Sequence, residues 1–306
     1  MAVANHRCAV LGKPIAHSLS PVLHRAAYRA LGLDDWDYDR HEVGEDDLDT
    51  FLHSLNPTWV GLSLTMPLKK TIQPYGDPSH SQWAQLLGVA NTAVFDWSVM
   101  TDDGLPSIAL YNTDVMGIVL AFDHARRQIA TPDSSVRPAH GRTAVILGNG
   151  NTAMSALAAS SMILDNAIDR VIIAARHPDR NQEESTRIAT ACGLTISYIP
   201  LDQATDVMID ADIIISTLPA HAADGVAETL SSGMAIRPHG MLLDVIYDPR
   251  PTALMSAWSE LGATAIGGQE MLLYQAILQV SCMTGTSLDV LDAIEAPMRQ
   301  ALEAAL

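Results

Sequence analysis

An α/β fold of two domains, with a parallel sheet in the second, is predicted by three observations. Short, fully apolar runs recur between residues 144 and 266. Helix-like stretches separate them. The length of 306 residues leaves room for two domains at roughly 150 residues each. Apolar strands alternating with helices belong to β-α-β units whose sheet is covered on both faces.

The elements follow in order. Residues 8–11 and 59–64 read as strands, and 21–31 as a helix. Strands at 94–100 and 107–111 flank Asp102-Asp103-Gly104, turn residues that make the pair a hairpin. A helix covers 114–130. The segment 131–142 (TPDSSVRPAHGR), rich in Pro, Ser and Gly, is expected to be a loop close to a domain boundary. Then come strands at 144–147, 171–175, 195–199, 212–216, 241–246 and 263–266. The helices between them are expected at 152–164, 181–192, 203–210, 222–230 and 252–261. The tail 271–306 is helical.

Composition narrows the function. Hydrophobic residues make up 48% and charged residues 17%, which suits a packed core. The net charge is −17, from 18 basic and 35 acidic residues, and a surplus of that sign repels nucleic acid and anionic membrane. Cys8, Cys192 and Cys282 lie far apart without a C-x-x-C pair, so buried reduced thiols are expected, with no metal site. The opening MAVANHRCAVLGKP has no apolar signal core, and no apolar run reaches membrane-spanning length. A soluble cytoplasmic protein is expected.

The strand at 144–147 runs into Gly148-Asn149-Gly150-Asn151-Thr152-Ala153 and then a helix. This fits G-x-G-x-x-G/A between strand and helix. The first glycine permits a tight turn, the second lets a pyrophosphate approach, and Ala153 allows close helix–strand packing. A plain tight turn is the alternative. The next strand ends in Ala175-Arg176-His177-Pro178-Asp179-Arg180. No acid stands at its end to bind a ribose 2′-OH, whereas two arginines suit a 2′-phosphate. NADP is therefore favoured over NAD, with a solvated basic loop as the bland alternative.

Two N-terminal loops carry polar groups at strand ends. In Gly12-Lys13-Pro14-Ile15-Ala16-His17-Ser18-Leu19-Ser20-Pro21, Ser18 and Ser20 sit where open sheets bind ligands, although Ser20 before Pro21 also reads as a helix N-cap. In Gly61-Leu62-Ser63-Leu64-Thr65-Met66-Pro67-Leu68-Lys69-Lys70, Thr65 can cap a helix. Lysines in its first turn would oppose the helix dipole, which invites a functional explanation; both could equally extend into solvent. Gly88–Thr92 and Asn112-Thr113-Asp114 add small polar groups at the hairpin's edges.

Taken together, these motifs resemble the shikimate dehydrogenase family, including its quinate/shikimate paralogues. Residues 12–21 with His24 match its opening motif. Residues 61–69 match G-x-N-V-T-x-P-x-K, with Ser63 in place of Asn. Residues 88–92 match G-A-x-N-T, and 112–117 match N-T-D-x-x-G. Residues 244–254 match D-x-x-Y-x-P-x-x-T-x-L, and 271–276 match M-L-x-x-Q-A. Departures are Arg25 for Asn, Gln82 for an acid, Asn149, Asn151 and Thr152 in the glycine turn, and His177 for Thr.

The resemblance implies an N-terminal substrate domain (1–115 with 267–306) and a Rossmann-type NADP-binding domain (116–266), separated by a cleft. It implies that Ser18 and Ser20 bind the substrate carboxylate. Thr65, Asn91, Asp114 and Gln275 bind ring hydroxyls, with Tyr247 nearby. Lys69 is the general acid/base and Asp114 its partner. Gly148, Asn149, Gly150, Asn151, Thr152, Arg176, His177 and Arg180 hold NADP. Ile246, Gly268 and Met271 approach the nicotinamide.

The implied activity is reversible reduction of 3-dehydroshikimate to shikimate with NADPH, by a monomer or homodimer. The rivals are an NAD-preferring quinate/shikimate dehydrogenase and a non-catalytic ligand-binding regulator. Because both ligands are anions, the acidic surplus is expected on the outer surface. Lys69, Arg176, Arg180 and a helix N-terminus would supply the local positive field.

Overall fold

The computed structural model describes residues 5–129, 141–232 and 237–306, with the side chains of 288–292 excepted. The expected loop at 131–142 therefore lies, for 131–140, outside the described residues. The chain divides into two compact units, Met1–Asp114 with Leu273–Leu306, and Val115–Leu272.

The first unit holds a mixed five-stranded sheet. Its strands are β1 (His6–Gly12), β2 (Trp36–Glu42), β3 (Trp59–Leu64), β4 (Thr92–Met100) and β5 (Pro106–Tyr111), in the order β2-β1-β3-β4-β5. β1 runs parallel to both β2 and β3, while β4 pairs antiparallel with β3 and with β5. β2 was not among the expected strands. It lies at the sheet edge, with Tyr38 fully buried and Asp37, Asp39 and Arg40 exposed, so it lacks the apolar run that marks the other strands. Leu11, Leu62, Leu64, Leu68, Ile72 and Leu110 form the core on one face of the sheet.

The second unit holds β6 (Arg142–Leu147), β7 (Ile168–Ala175), β8 (Thr195–Pro200), β9 (Ile213–Ser216), β10 (Met241–Asp244) and β11 (Thr264–Gly267). Their order, β11-β10-β9-β6-β7-β8, with every pairing parallel, is the doubly wound Rossmann order. Val145, Leu147, Ile214 and Leu242 pack against Met208, Leu254 and Trp258, each large buried side chain contributing roughly 1.5–3 kcal/mol.

Several boundaries differ from expectation. The helix expected over 152–164 is Asn151–Ser160, and beyond it Leu164 and Asp165 take positive φ, so the helix does not resume. The strand expected at 241–246 stops at Asp244. The helical tail is two helices, Gly268–Thr284 and Leu288–Ala305, separated at Gly285, where φ is +69°. Cys8 is buried as expected, and burial pushes its thiol up to about 12; Cys192 and Cys282 are only partly buried.

The acidic surplus lies on the surface. Asp34, Asp37, Asp39, Glu42, Glu45, Asp46, Asp47 and Asp49 are all exposed. Among the described residues, the buried acids are Asp114, Asp212 and Asp244. Among those residues, no helix is long and apolar enough to cross a membrane.

Candidate active site and nucleotide site

In the first unit, parallel neighbours β1 and β3 present two loops at their carboxyl ends. Thr65 N–H donates to Leu11 O at 2.9 Å, and Lys13 N–H donates to Met66 O at 3.0 Å. The loops touch at Gly12, where a Cβ would stand 2.4 Å from Thr65 Cγ2. In the first loop, Ser18 Oγ donates to Ser20 Oγ at 3.2 Å and accepts from Ser20 N–H at 3.3 Å. Ser20 is not the N-cap: it is the first residue of the helix Ser20–Ala30, whose capping position is Leu19. Arg40 of β2 donates to Ala16 O and, at 3.4 Å, to Ser18 O, tying this loop to the sheet edge.

The second loop leads into the helix Leu68–Thr71, capped at Pro67 with no side-chain bond, so Thr65 does not cap it. A single turn puts Lys69 as near its end as its start, and the opposition between lysine and helix dipole loses its basis. What engages Lys69 is a carboxylate. Lys69 Nζ donates to Asp114 Oδ2 at 2.5 Å, with side-chain exposures of 19% and 7%.

Asp114 heads the helix Asp114–Gln128, and its backbone N–H donates to Asn112 Oδ1 at 3.0 Å. Its Oδ1 accepts from Asn91 Nδ2 at 2.8 Å, and the same nitrogen reaches Thr113 Oγ1 at 2.9 Å and Gln275 Oε1 at 3.4 Å. Lys69, Asn91, Asp114 and Gln275 thus converge, although a one-turn helix, the loop before β4, the start of the helix Asp114–Gln128 and a helix near the C-terminus supply them. The ammonium, carboxylate and amide form one charge-assisted network.

The buried residues behind this network were given no role from sequence, although His24, Ser63 and Thr92 fall within matched motifs. Tyr38 and Gln279 carried no such signal. His24 stacks on Tyr38 with ring centroids 3.9 Å apart, and burial lowers its pKa to about 3.

In the second unit, β6 ends at Leu147 between β7 and β9, and the chain turns at Gly148 with φ of +105°. A Cβ on Gly148 would stand 2.6 Å from Thr217 Oγ1, so both the turn and the close approach need glycine. Gly150 caps the helix Asn151–Ser160 without a side-chain bond, and a Cβ there would meet nothing within 4 Å. The backbone at the start of this ten-residue helix therefore leaves room at Gly150, with Thr152 in its first turn and Ala153 fully buried.

Asn149 has a role the sequence did not show. Its Nδ2 donates to His177 O at 2.8 Å and to Arg180 O at 2.9 Å, while Asn181 Nδ2 returns a bond to Asn149 O at 2.8 Å. These bonds clamp the 177–181 loop to the glycine turn and leave the side chains of Arg176, His177 and Arg180 exposed. Arg176 also lines a cavity of about 450 Å³ with Pro200, Leu201, Thr205 and Val226. The glycine turn, helix N-terminus and guanidiniums together fit a dinucleotide phosphate.

On the other side of the sheet, the chain after β11 passes tightly over the segment after β10. Gly268 N–H donates to Ile246 O at 3.2 Å, and a Cβ on Gly268 would lie 2.1 Å from Val245 O. Asp244 is buried, which raises its pKa; it accepts from Thr252 Oγ1 at 2.8 Å. Thr252 in turn caps the helix Ala253–Glu260. Tyr247 is half-buried, its hydroxyl pKa raised by that burial, and Met271 is buried.

Residues 10–93 match the family model of the shikimate dehydrogenase substrate binding domain, and residues 132–253 match that of shikimate / quinate 5-dehydrogenase. The chain is 30% identical over 302 residues to a shikimate dehydrogenase (NADP(+)) of Natronomonas pharaonis, covering 97% of this chain and 98% of the relative. It is 28% identical to the enzyme of the same name from Methanothermobacter thermautotrophicus, covering 97% of each. Among solved structures, Mycobacterium tuberculosis shikimate dehydrogenase is 35% identical, covers 98% of this chain and 99% of its own, and has a TM-score of 0.76.

Proposed function

The chain belongs to the shikimate dehydrogenase family, and on that premise we propose that it is an NADP-dependent shikimate dehydrogenase of aromatic amino acid biosynthesis, acting in the cytoplasm. The reaction is reversible reduction of 3-dehydroshikimate to shikimate. The first unit binds the substrate and the second binds NADP. The observation that carries this reading is the 2.5 Å contact of Lys69 Nζ with Asp114 Oδ2, completed by the Asn91 amide on the other carboxylate oxygen.

Ser18 and Ser20 receive the substrate carboxylate, their hydroxyls held side by side by the Arg40-anchored loop. Thr65, Asn91, Asp114 and Gln275 bind the ring hydroxyls. Asp114 holds the ammonium of Lys69 in place and accepts a hydrogen bond from a neighbouring substrate hydroxyl, which it orients. As the carbonyl is reduced, Lys69 donates its proton to the oxygen on which negative charge develops. Its partial exposure lets solvent restore that proton. Shikimate oxidation runs the same steps in reverse, with Lys69 as base.

NADPH, when bound, supplies the hydride. Gly148, Gly150, Asn151 and Thr152 offer backbone N–H groups and room to its pyrophosphate. Asn149 takes part through its backbone and by clamping the loop, since both its amide protons are committed. Arg176, His177 and Arg180 would hold the 2′-phosphate, and Ile246, Gly268 and Met271 would border the nicotinamide. The direct test is reduction of 3-dehydroshikimate by NADPH with the purified chain. A chain that bound both ligands without turnover would be the non-catalytic regulator instead.

A further inference from the structure

Beneath the Lys69–Asp114 pair runs a chain of buried hydrogen bonds whose directions follow from chemistry alone. Gln279, 2% exposed, places Nε2 at 3.0 Å from Asn91 O and 3.0 Å from Thr92 Oγ1. A backbone carbonyl only accepts, so the Gln279 nitrogen must face it. Oε1 then accepts from Ser63 Oγ at 2.8 Å and from His24 Nε2 at 3.3 Å. Two donors and two lone pairs are thereby used, and Gln279 has nothing left for a ligand.

The direction propagates both ways. Having donated to Gln279, Ser63 Oγ accepts from Tyr38 OH at 2.6 Å. Having accepted from Gln279, Thr92 Oγ1 donates to Asn91 Oδ1 at 2.9 Å, where Thr113 N–H also donates at 2.9 Å. With Oδ1 held by those donors, Asn91 can turn only Nδ2 toward Asp114 Oδ1. A flipped amide would set an oxygen against the carboxylate and push Asp114 away from Lys69.

We propose that Gln279 is a positioning residue: through Thr92 it fixes the orientation of the Asn91 amide, and so the placement of the Asp114–Lys69 pair, without touching substrate or cofactor. This rests on the reading of that pair as the catalytic one. It also accounts for serine at position 63, whose hydroxyl serves this relay.

The test uses the full chain with Thr92→Val, which keeps the shape and removes the hydroxyl, Thr92→Ser, and Gln279→Met. With shikimate and NADP, Thr92→Val and Gln279→Met should lower kcat about tenfold or more while shikimate KM moves less than about threefold, and Thr92→Ser should recover kcat. In the ligand-free protein, the Asn91 side-chain amide protons should exchange with solvent faster in Thr92→Val and Gln279→Met than in the parent and Thr92→Ser. Unchanged kcat and unchanged exchange in Thr92→Val, which is the variant less disruptive to folding, would overturn the relay. The exchange measurement needs no turnover. A parent inert toward shikimate would therefore refute the proposed function, while the relay is still decided by exchange.

Discussion

Lys69 and Asp114, 45 positions apart, meet with Nζ 2.5 Å from Oδ2 at a largely buried site, and Asn91 holds the other carboxylate oxygen. A buried ion pair is weak evidence for stability, because desolvation offsets the Coulomb gain. Its hydrogen-bonded setting beside Asn91 and Gln275 gives it a chemical reason instead. Lys69→Ala should lower kcat by about 100- to 10,000-fold, the usual worth of a positioned acid/base. Shikimate Kd, measured by calorimetry, should change only a few-fold. Turnover within a few-fold of the parent would remove Lys69 from that role.

The exposed guanidiniums at the end of β7 predict a cofactor-selective defect. A hydrogen bond to a charged group contributes about 1.5–3 kcal/mol, so Arg176→Ala or Arg180→Ala should lower kcat/KM for NADP by about 10- to 100-fold. The same constant for NAD should barely move. Equal losses with both cofactors would place these arginines away from the 2′-phosphate.

Asn149 predicts an effect through the loop it clamps. Asn149→Ala removes two side-chain donors, each bond contributing about 1 kcal/mol. Tm should fall slightly and the KM for NADP should rise about tenfold, with the KM for shikimate unchanged. A shift in shikimate KM alone would contradict this.

His24 predicts a pH effect on stability. Its folded pKa is lowered by burial to about 3 from an unfolded value of 6.5. The stability from keeping it neutral is fully present above pH 6.5 and is lost as pH falls towards 3. At pH 5 the loss is about 2 kcal/mol, at 1.36 kcal/mol per pH unit. Urea unfolding at pH 7 and pH 5 should therefore show a smaller pH-dependent loss in His24→Gln than in the parent. Identical losses would show that His24 is not held neutral.

What the sequence made legible follows from how each feature is encoded. β6 and the glycine turn were readable because apolar residues 144–147, glycine and a helix are contiguous. β3 was readable for the same reason, and its expected bounds match those observed. β2 was hidden because an edge strand with one buried tyrosine looks like a charged loop. The helix after the glycine turn looked longer because Ile163 and Leu164 continue the apolar pattern past its end at Ser160, beyond which Leu164 and Asp165 take positive φ.

At the site, Lys69, Asn91 and Asp114 stood out within motifs, whereas Gln279 did not. It lies one helical turn beyond Gln275, on an apolar helix, and only the tertiary fold brings it to Asn91 and Thr92. The Asn149 clamp was likewise invisible, since side chain-to-backbone bonds between loops leave no periodic signal.

The central claim is tested most directly by kcat/KM for shikimate and quinate, each with NADP and with NAD. Shikimate with NADP should be the best of the four combinations. Higher kcat/KM with NAD, or no turnover of shikimate at all, would contradict it.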